Sequence, residues 1–148
     1  MAKCEIGNVC LTGLSGAVPA LQRVVSAEND ARTSGGLAGT EVRTVCVAPD
    51  GMCASDLCCA AAERLLTTLG WTPDSVEALV FLTQTPDYIL PATSCSLQHR
   101  LRLANTCVAI DLGLGCSGYV YALWLCSLMV AGGVRRLLLL AGEGFHSA

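Results

Sequence analysis

Residues 76–83 read Val-Glu-Ala-Leu-Val-Phe-Leu-Thr and are apolar almost throughout after Glu77. A run this short and this uniformly apolar suits a strand covered on both faces, the situation found in a parallel sheet. Residues 106–110 and 136–141 repeat the pattern. Between these runs the spacing turns helical. One helix is expected from Ser55 or Asp56 as cap to about Leu69, with Leu57, Ala61, Leu65 and Leu69 along the face that packs on the sheet and Gly70 stopping it. A short second helix, capped by Thr93 or Ser94, runs through Leu97 and Leu101, and a third covers residues 117–131. Strands alternating with helices make βαβ units, so the expected architecture is α/β, a mostly parallel mixed sheet with covering helices. Earlier in the chain, residues 6–14 read as a first strand, residues 26–39 as a loop with some helix, and residues 41–47 as a short strand.

With 148 residues, 53% hydrophobic and 14% charged, the chain suits one domain with a large core or part of a larger one, and disorder is excluded. A net charge of −3, scattered arginines and few aromatics give no support for nucleic-acid binding. Ten cysteines contain no CxxC pair, so neither a metal site nor a cofactor is expected. Cys95 and His99, four apart, read as an ordinary helix surface, and His146 has no readable context. Most of the cysteines are expected to act as small buried hydrophobes. No signal-peptide apolar region precedes Glu5, which points to the cytoplasm, where thiols stay reduced. Residues 112–134 carry no charge and are long enough to suggest a membrane span. The glycines within them leave only about 13 to 15 residues of good helix pattern, the length of a buried core helix, so no membrane partner is expected.

One cysteine stands apart. Ala109-Ile110-Asp111-Leu112-Gly113-Leu114-Gly115-Cys116-Ser117-Gly118-Tyr119 runs from an apolar strand through small residues and puts Cys116 at a helix start. Unpaired N–H groups and the positive end of the helix dipole favour a thiolate placed there. Gly115 and Gly118 permit a sharp strand-to-helix turn and close approach of a thioester. Cys116 is the candidate nucleophile.

These residues, together with Ser55-Asp56-Leu57-Cys58, Phe81-Leu82-Thr83-Gln84-Thr85-Pro86-Asp87-Tyr88-Ile89-Leu90-Pro91-Ala92-Thr93, Leu97-Gln98-His99-Arg100-Leu101 and Gly115-Cys116-Ser117-Gly118-Tyr119, resemble the β-ketoacyl-acyl-carrier-protein synthase III family of the thiolase superfamily. The resemblance implies a thiolase-like fold of which this chain is one half of the usual duplicated arrangement, the N-terminal one. It implies an acyltransferase in which the Cys116 thiolate attacks an acyl-CoA or acyl-carrier-protein thioester while backbone N–H groups, that of Cys116 among them, hold the oxyanion. The acyl group is then condensed with malonyl-carrier protein. It also implies a homodimer, in which Leu90 crosses to the neighbouring subunit's acyl pocket, and it places Gln84 and Arg43 at the substrate. The residues that hold coenzyme A in the bacterial enzymes, a tryptophan and an arginine, fall near Thr33 and Leu37 here. The family's later histidine and asparagine, which activate the malonyl thioester, have no counterpart in this sequence, so condensation by this chain alone is not expected. The alternative is a non-catalytic fragment or structural partner that keeps the fold.

Overall fold

The structure is a computed structural model and describes residues 5–24 and 44–144. Its centre is a three-stranded parallel sheet, β3 (Ala78–Leu82), β4 (Val108–Leu112) and β5 (Leu137–Ala141), in the order β4-β3-β5. The pairing is regular: Ala78 stands opposite Val108 and Leu137, and Leu82 opposite Leu112 and Ala141. All three C-terminal ends therefore lie on one side. A separate antiparallel pair joins β1 (Gln22–Val24) to β2 (Thr44–Cys46).

Every residue of β3 is buried, as its apolar run demands. Because chain crossovers are right-handed, stepping from β3 to β4 and then back across β3 to β5 places the two connecting helices on opposite faces. Leu79 and Phe81 join Leu138 and Leu140 in a core closed by α1 (Ala54–Leu69) and α2 (Thr93–Arg100), through Cys58, Cys59, Ala62, Leu66, Leu97 and Leu101. The alternate residues of β3 face α3 (Gly118–Ala131), which buries only Gly118, Ala122 and Cys126. Several of its other apolar residues stay open, Val120 at 70% and Trp124 at 50% exposure.

The ends of the helices show how the sequence is read locally. Cys53, not Ser55 or Asp56, is the cap of α1, and Asp56 reaches back from the first turn to accept the Cys53 N–H at 2.9 Å. Gly70 ends α1 as expected, at φ 63°, a conformation open to glycine, with the Trp71 N–H closing on Leu66 O at 3.0 Å. α2 has no cap of its own. The Asp111 carboxylate, on the same face of the sheet as Phe81, which it pairs with, accepts the N–H groups of Thr93 and Ser94, both at 2.7 Å.

Further expectations are corrected. Residues 6–14 form no strand; Leu11 and Leu14 are exposed, and among the described residues no neighbouring strand takes up that segment's backbone groups. The three described strands of the larger sheet are all parallel, and the antiparallel pair is separate from them. The buried stripe of α1 is Cys58, Cys59, Ala62 and Leu66, one position on from the predicted Leu57-Ala61-Leu65-Leu69. Leu65 and Leu69 instead lie against Gly13 of the N-terminal segment. Only four of the described cysteines are buried, Cys58, Cys59, Cys107 and Cys126, because Cys10, Cys46, Cys95 and Cys116 sit on outward positions. Residues 26–39 and Arg43, Cys4 and His146 lie outside the described residues.

Candidate functional site: the Cys116 turn

At the C-terminal end of β4 the chain leaves the sheet through Gly113 and Leu114 and turns into α3 at Gly118. Gly118 donates to Gly115 O at 2.7 Å, and Ser117 O accepts from Val120 and Tyr121, at 3.2 and 3.4 Å. Cys116 is exposed on this turn, directly ahead of the helix. The Cys116 and Ser117 amides have no hydrogen-bond partner among the described residues, so donors remain at the helix start where an anion would be held. Gly118 is needed for space, and Gly115 lies close against the movable end of Gln84. A Cβ on Gly118 would stand 2.8 Å from both Leu114 Cβ and Leu82 Cδ1, and one on Gly115 would stand 2.9 Å from Gln84 Nε2.

The last contact brings two of the sequence-predicted residues together, since Gln84 lies against the residue preceding Cys116. Gln84 belongs to the loop after β3. That loop is held from below by a polar network. Ser55 Oγ donates to Asp87 Oδ2, Arg100 donates to Ser55 Oγ at 3.0 Å and to Asp56 Oδ1 at 2.7 Å, and the Asp87 N–H donates to Thr93 Oγ1 at 3.1 Å. From the side it is held by Glu143, which follows β5 and accepts the Gln84 N–H at 2.9 Å and the Thr85 hydroxyl at 3.2 Å. Beyond Asp87 the loop projects into solvent, with Ile89 at 93% and Leu90 at 84% exposure. Leu90 is thus not a core residue.

The residues missed at the level of sequence are Asp111, Asp87, Arg100 and Glu143. Asp111 carried a signal, being the one charge in an otherwise apolar strand, which needs a polar partner when half-buried. Glu143 carried none, because its partners are about sixty positions away.

Other cysteines are poor candidates for a nucleophile. Cys53, Cys58, Cys59, Cys107 and Cys126 all have their thiols pushed up by burial first, Cys53 and Cys58 next by the Asp87 carboxylate, and Cys58 and Cys126 reach about 11. Cys53 also stands at a helix start, but burial and the Asp87 and Asp56 carboxylates raise it there. Of the exposed ones, Cys95 lies inside α2 and Cys46 in β2, whereas Cys116 precedes a helix. A shallow concavity of about 270 Å³ lies by α2, lined by Cys95, Gln98, His99, Arg102, Leu103 and Asn105. It includes none of Cys116, Gln84 and Leu90. Among the described residues no group of three or more His, Cys, Asp or Glu could hold a metal, and no helix is long and apolar enough to cross a membrane.

The chain is similar to known proteins in sequence and in fold. The β-ketoacyl-[acyl-carrier-protein] synthase III of Thiobacillus denitrificans is 37% identical over 103 residues, 70% of this chain and 32% of the relative. A crystal structure of the 3-oxoacyl-(acyl-carrier protein) synthase from Burkholderia xenovorans superposes with a TM-score of 0.73 at 38% identity, covering 85% of this chain and 38% of that one. Over this stretch the chain is similar to 3-oxoacyl-[acyl-carrier-protein] synthases III. A further relative, from Campylobacter jejuni, is also 37% identical, over 105 residues. The chain spans about 29 to 32% of the length of these curated relatives. No family model matches it. The thiolase-like α/β fold expected from the sequence is the one observed, with helices on both sides of the parallel sheet.

Proposed function

We propose that this chain is the nucleophile-bearing, N-terminal part of a 3-oxoacyl-acyl-carrier-protein synthase III-type acyltransferase, with Cys116 as the acyl acceptor. One observation carries the reading: an exposed thiol on a glycine-flanked turn at the C-terminal end of a parallel strand, directly ahead of a helix. The thiolate sulfur attacks the carbonyl carbon of an acyl-CoA or acyl-carrier-protein thioester. The Cys116 and Ser117 amides receive the oxyanion, and the tetrahedral intermediate collapses by breaking the donor's carbon–sulfur bond, so that the donor leaves as a thiolate, which takes a proton from water. In the complete reaction malonyl-carrier protein loses carbon dioxide, its carbanion attacks the acyl-Cys116 carbonyl, and the thiolate is regenerated. That second step draws on groups beyond those described here.

Gln84, beside the turn, and the projecting Leu90 are the proposed acyl-contacting residues, Leu90 reaching the pocket of a second copy in a homodimer; Arg43 is assigned to the donor by family likeness alone. A cytoplasmic setting, in which the ten thiols stay reduced, goes with this reading. The test is to incubate the chain with acyl-CoA, and separately with acyl-carrier protein, and to sequence the labelled peptide by mass spectrometry. The expected result is an acyl mass on Cys116, absent from Cys116→Ser. Absence of label with both donors would favour the non-catalytic reading.

A further inference from the structure

The Glu143 carboxylate does more than end a strand. The C-terminal ends of β3, β4 and β5 are first tied to one another by the backbone, Thr83 N–H to Leu112 O at 3.1 Å and Gly142 N–H to Leu82 O at 3.2 Å. Glu143 then closes over this junction. It accepts the Gln84 N–H with both oxygens, at 2.9 and 3.1 Å, and the Thr85 hydroxyl at 3.2 Å. Thr85 is fixed in turn: its N–H donates to Thr83 Oγ1 at 3.0 Å, and its Oγ1 accepts the Gly144 N–H at 2.9 Å. The loop after β3 and the loop after β5 are thus one hydrogen-bonded unit. What the unit presents is Gln84, whose side-chain amide lies against Gly115, its Nε2 2.9 Å from where a Cβ there would stand. Gly115 O is the acceptor that closes the turn carrying Cys116.

We propose that Glu143 is a positioning residue for the nucleophile: it fixes the backbone of Gln84 so that the Gln84 side chain buttresses the Gly115 turn and holds Cys116 at the start of α3. This rests on the reading of Cys116 as acyl acceptor. Hydrogen bonds to an ionised acceptor are about twice as strong as neutral ones, which suits a single carboxylate to pinning a loop that is exposed to water. Glu143→Gln keeps the shape but gives up the charge and one acceptor atom, and Gln84→Ala removes the buttress while keeping the amide that Glu143 accepts.

The experiment compares wild type, Glu143→Gln, Gln84→Ala and the double variant by hydrogen exchange of the peptides carrying residues 83–85 and 113–119, with a peptide from α1 as control. In parallel it measures the rate of Cys116 acylation. Glu143→Gln is expected to speed exchange in both site peptides and to slow acylation about tenfold, with the α1 peptide unchanged. Gln84→Ala is expected to loosen only residues 113–119, and the double variant to loosen them no more than Glu143→Gln does. A role confined to stability would speed exchange in the α1 peptide as well. If residues 113–119 exchange as in wild type when Glu143 is changed, the proposal is overturned. The exchange readout needs no acyl donor, so failure of wild-type acylation would count against the proposed function and leave this inference to be decided by exchange alone.

Discussion

Removing the Asp111 carboxylate should cost more than any other single polar change in this fold, and the cost follows from two bonds. Asp111 accepts the Thr93 and Ser94 N–H groups at 2.7 Å each, at the first turn of a helix with no side-chain cap of its own. A hydrogen bond to a charged group contributes about 1.5–3 kcal/mol. Because Asp111 is half-buried, and water reaches the freed amides in part, the lower figure applies to each bond, giving about 3 kcal/mol for Asp111→Ala. Asp111→Asn retains one acceptor oxygen and turns an amide donor towards the other N–H, losing one bond and the favourable charge at the helix start, about 2 kcal/mol. With a urea dependence of about 2 kcal/mol/M, the unfolding midpoint should fall by about 1.5 M for alanine and about 1 M for asparagine, followed by circular dichroism. Hydrogen exchange at Thr93 and Ser94 should accelerate in the same order. An alanine variant within about 0.5 kcal/mol of wild type, or an asparagine variant equal to it, would refute the reasoning that this carboxylate caps α2.

Gly118→Ala should destabilise by about 2 kcal/mol, roughly 6 °C in Tm by calorimetry, because the added carbon meets Leu114 Cβ and Leu82 Cδ1 at 2.8 Å in a packed site. Cys58 and Cys126 are raised by burial from 9.0 to about 11 in the folded chain, so their protonated thiols favour folding below pH 9 and that contribution is lost as pH rises through 11. The urea midpoint should accordingly fall between pH 9 and 11, and Cys58→Ala/Cys126→Ala should lessen that fall. Val120→Glu/Trp124→Glu, on the open side of α3, should leave stability within about 0.5 kcal/mol per site while reducing dye binding and light scattering, since these side chains belong to an exposed apolar patch.

Much of the layout was legible in the sequence, because a strand buried on both faces must be apolar throughout and helices between such strands must be amphipathic or buried. Residues 78–82, 108–112 and 137–141 were found that way, within two positions at each end. Gly70 was found because a helix stop at positive φ favours glycine. The failures share a cause. Residues 6–14 read as a strand, yet strand formation needs a neighbour to take the backbone bonds, and none is found for them among the described residues. The stripe of α1 was displaced because cysteine and alanine, small and numerous in this helix, pack more closely on the sheet than leucine does. Phe81 and Leu138 are buried, and the open apolar surface is the outer side of α3 and the loop at Ile89 and Leu90. At the site, Cys116 was legible because glycines mark its turn. Glu143 and Asp111 act across distant segments, a relation that spacing along a chain does not record.

Asp111 also guards the sheet against misaligned pairing. Slipping β4 by one residue would turn every one of its side chains to the opposite face, sending this carboxylate under the apolar α3 and leaving the start of α2 bare. Such an error would strand a charge in an oily layer and orphan two amides at once, so a mispaired sheet would be heavily penalised before the Cys116 turn could form. The residue five places ahead of the sulfur thereby proofreads the frame that presents it.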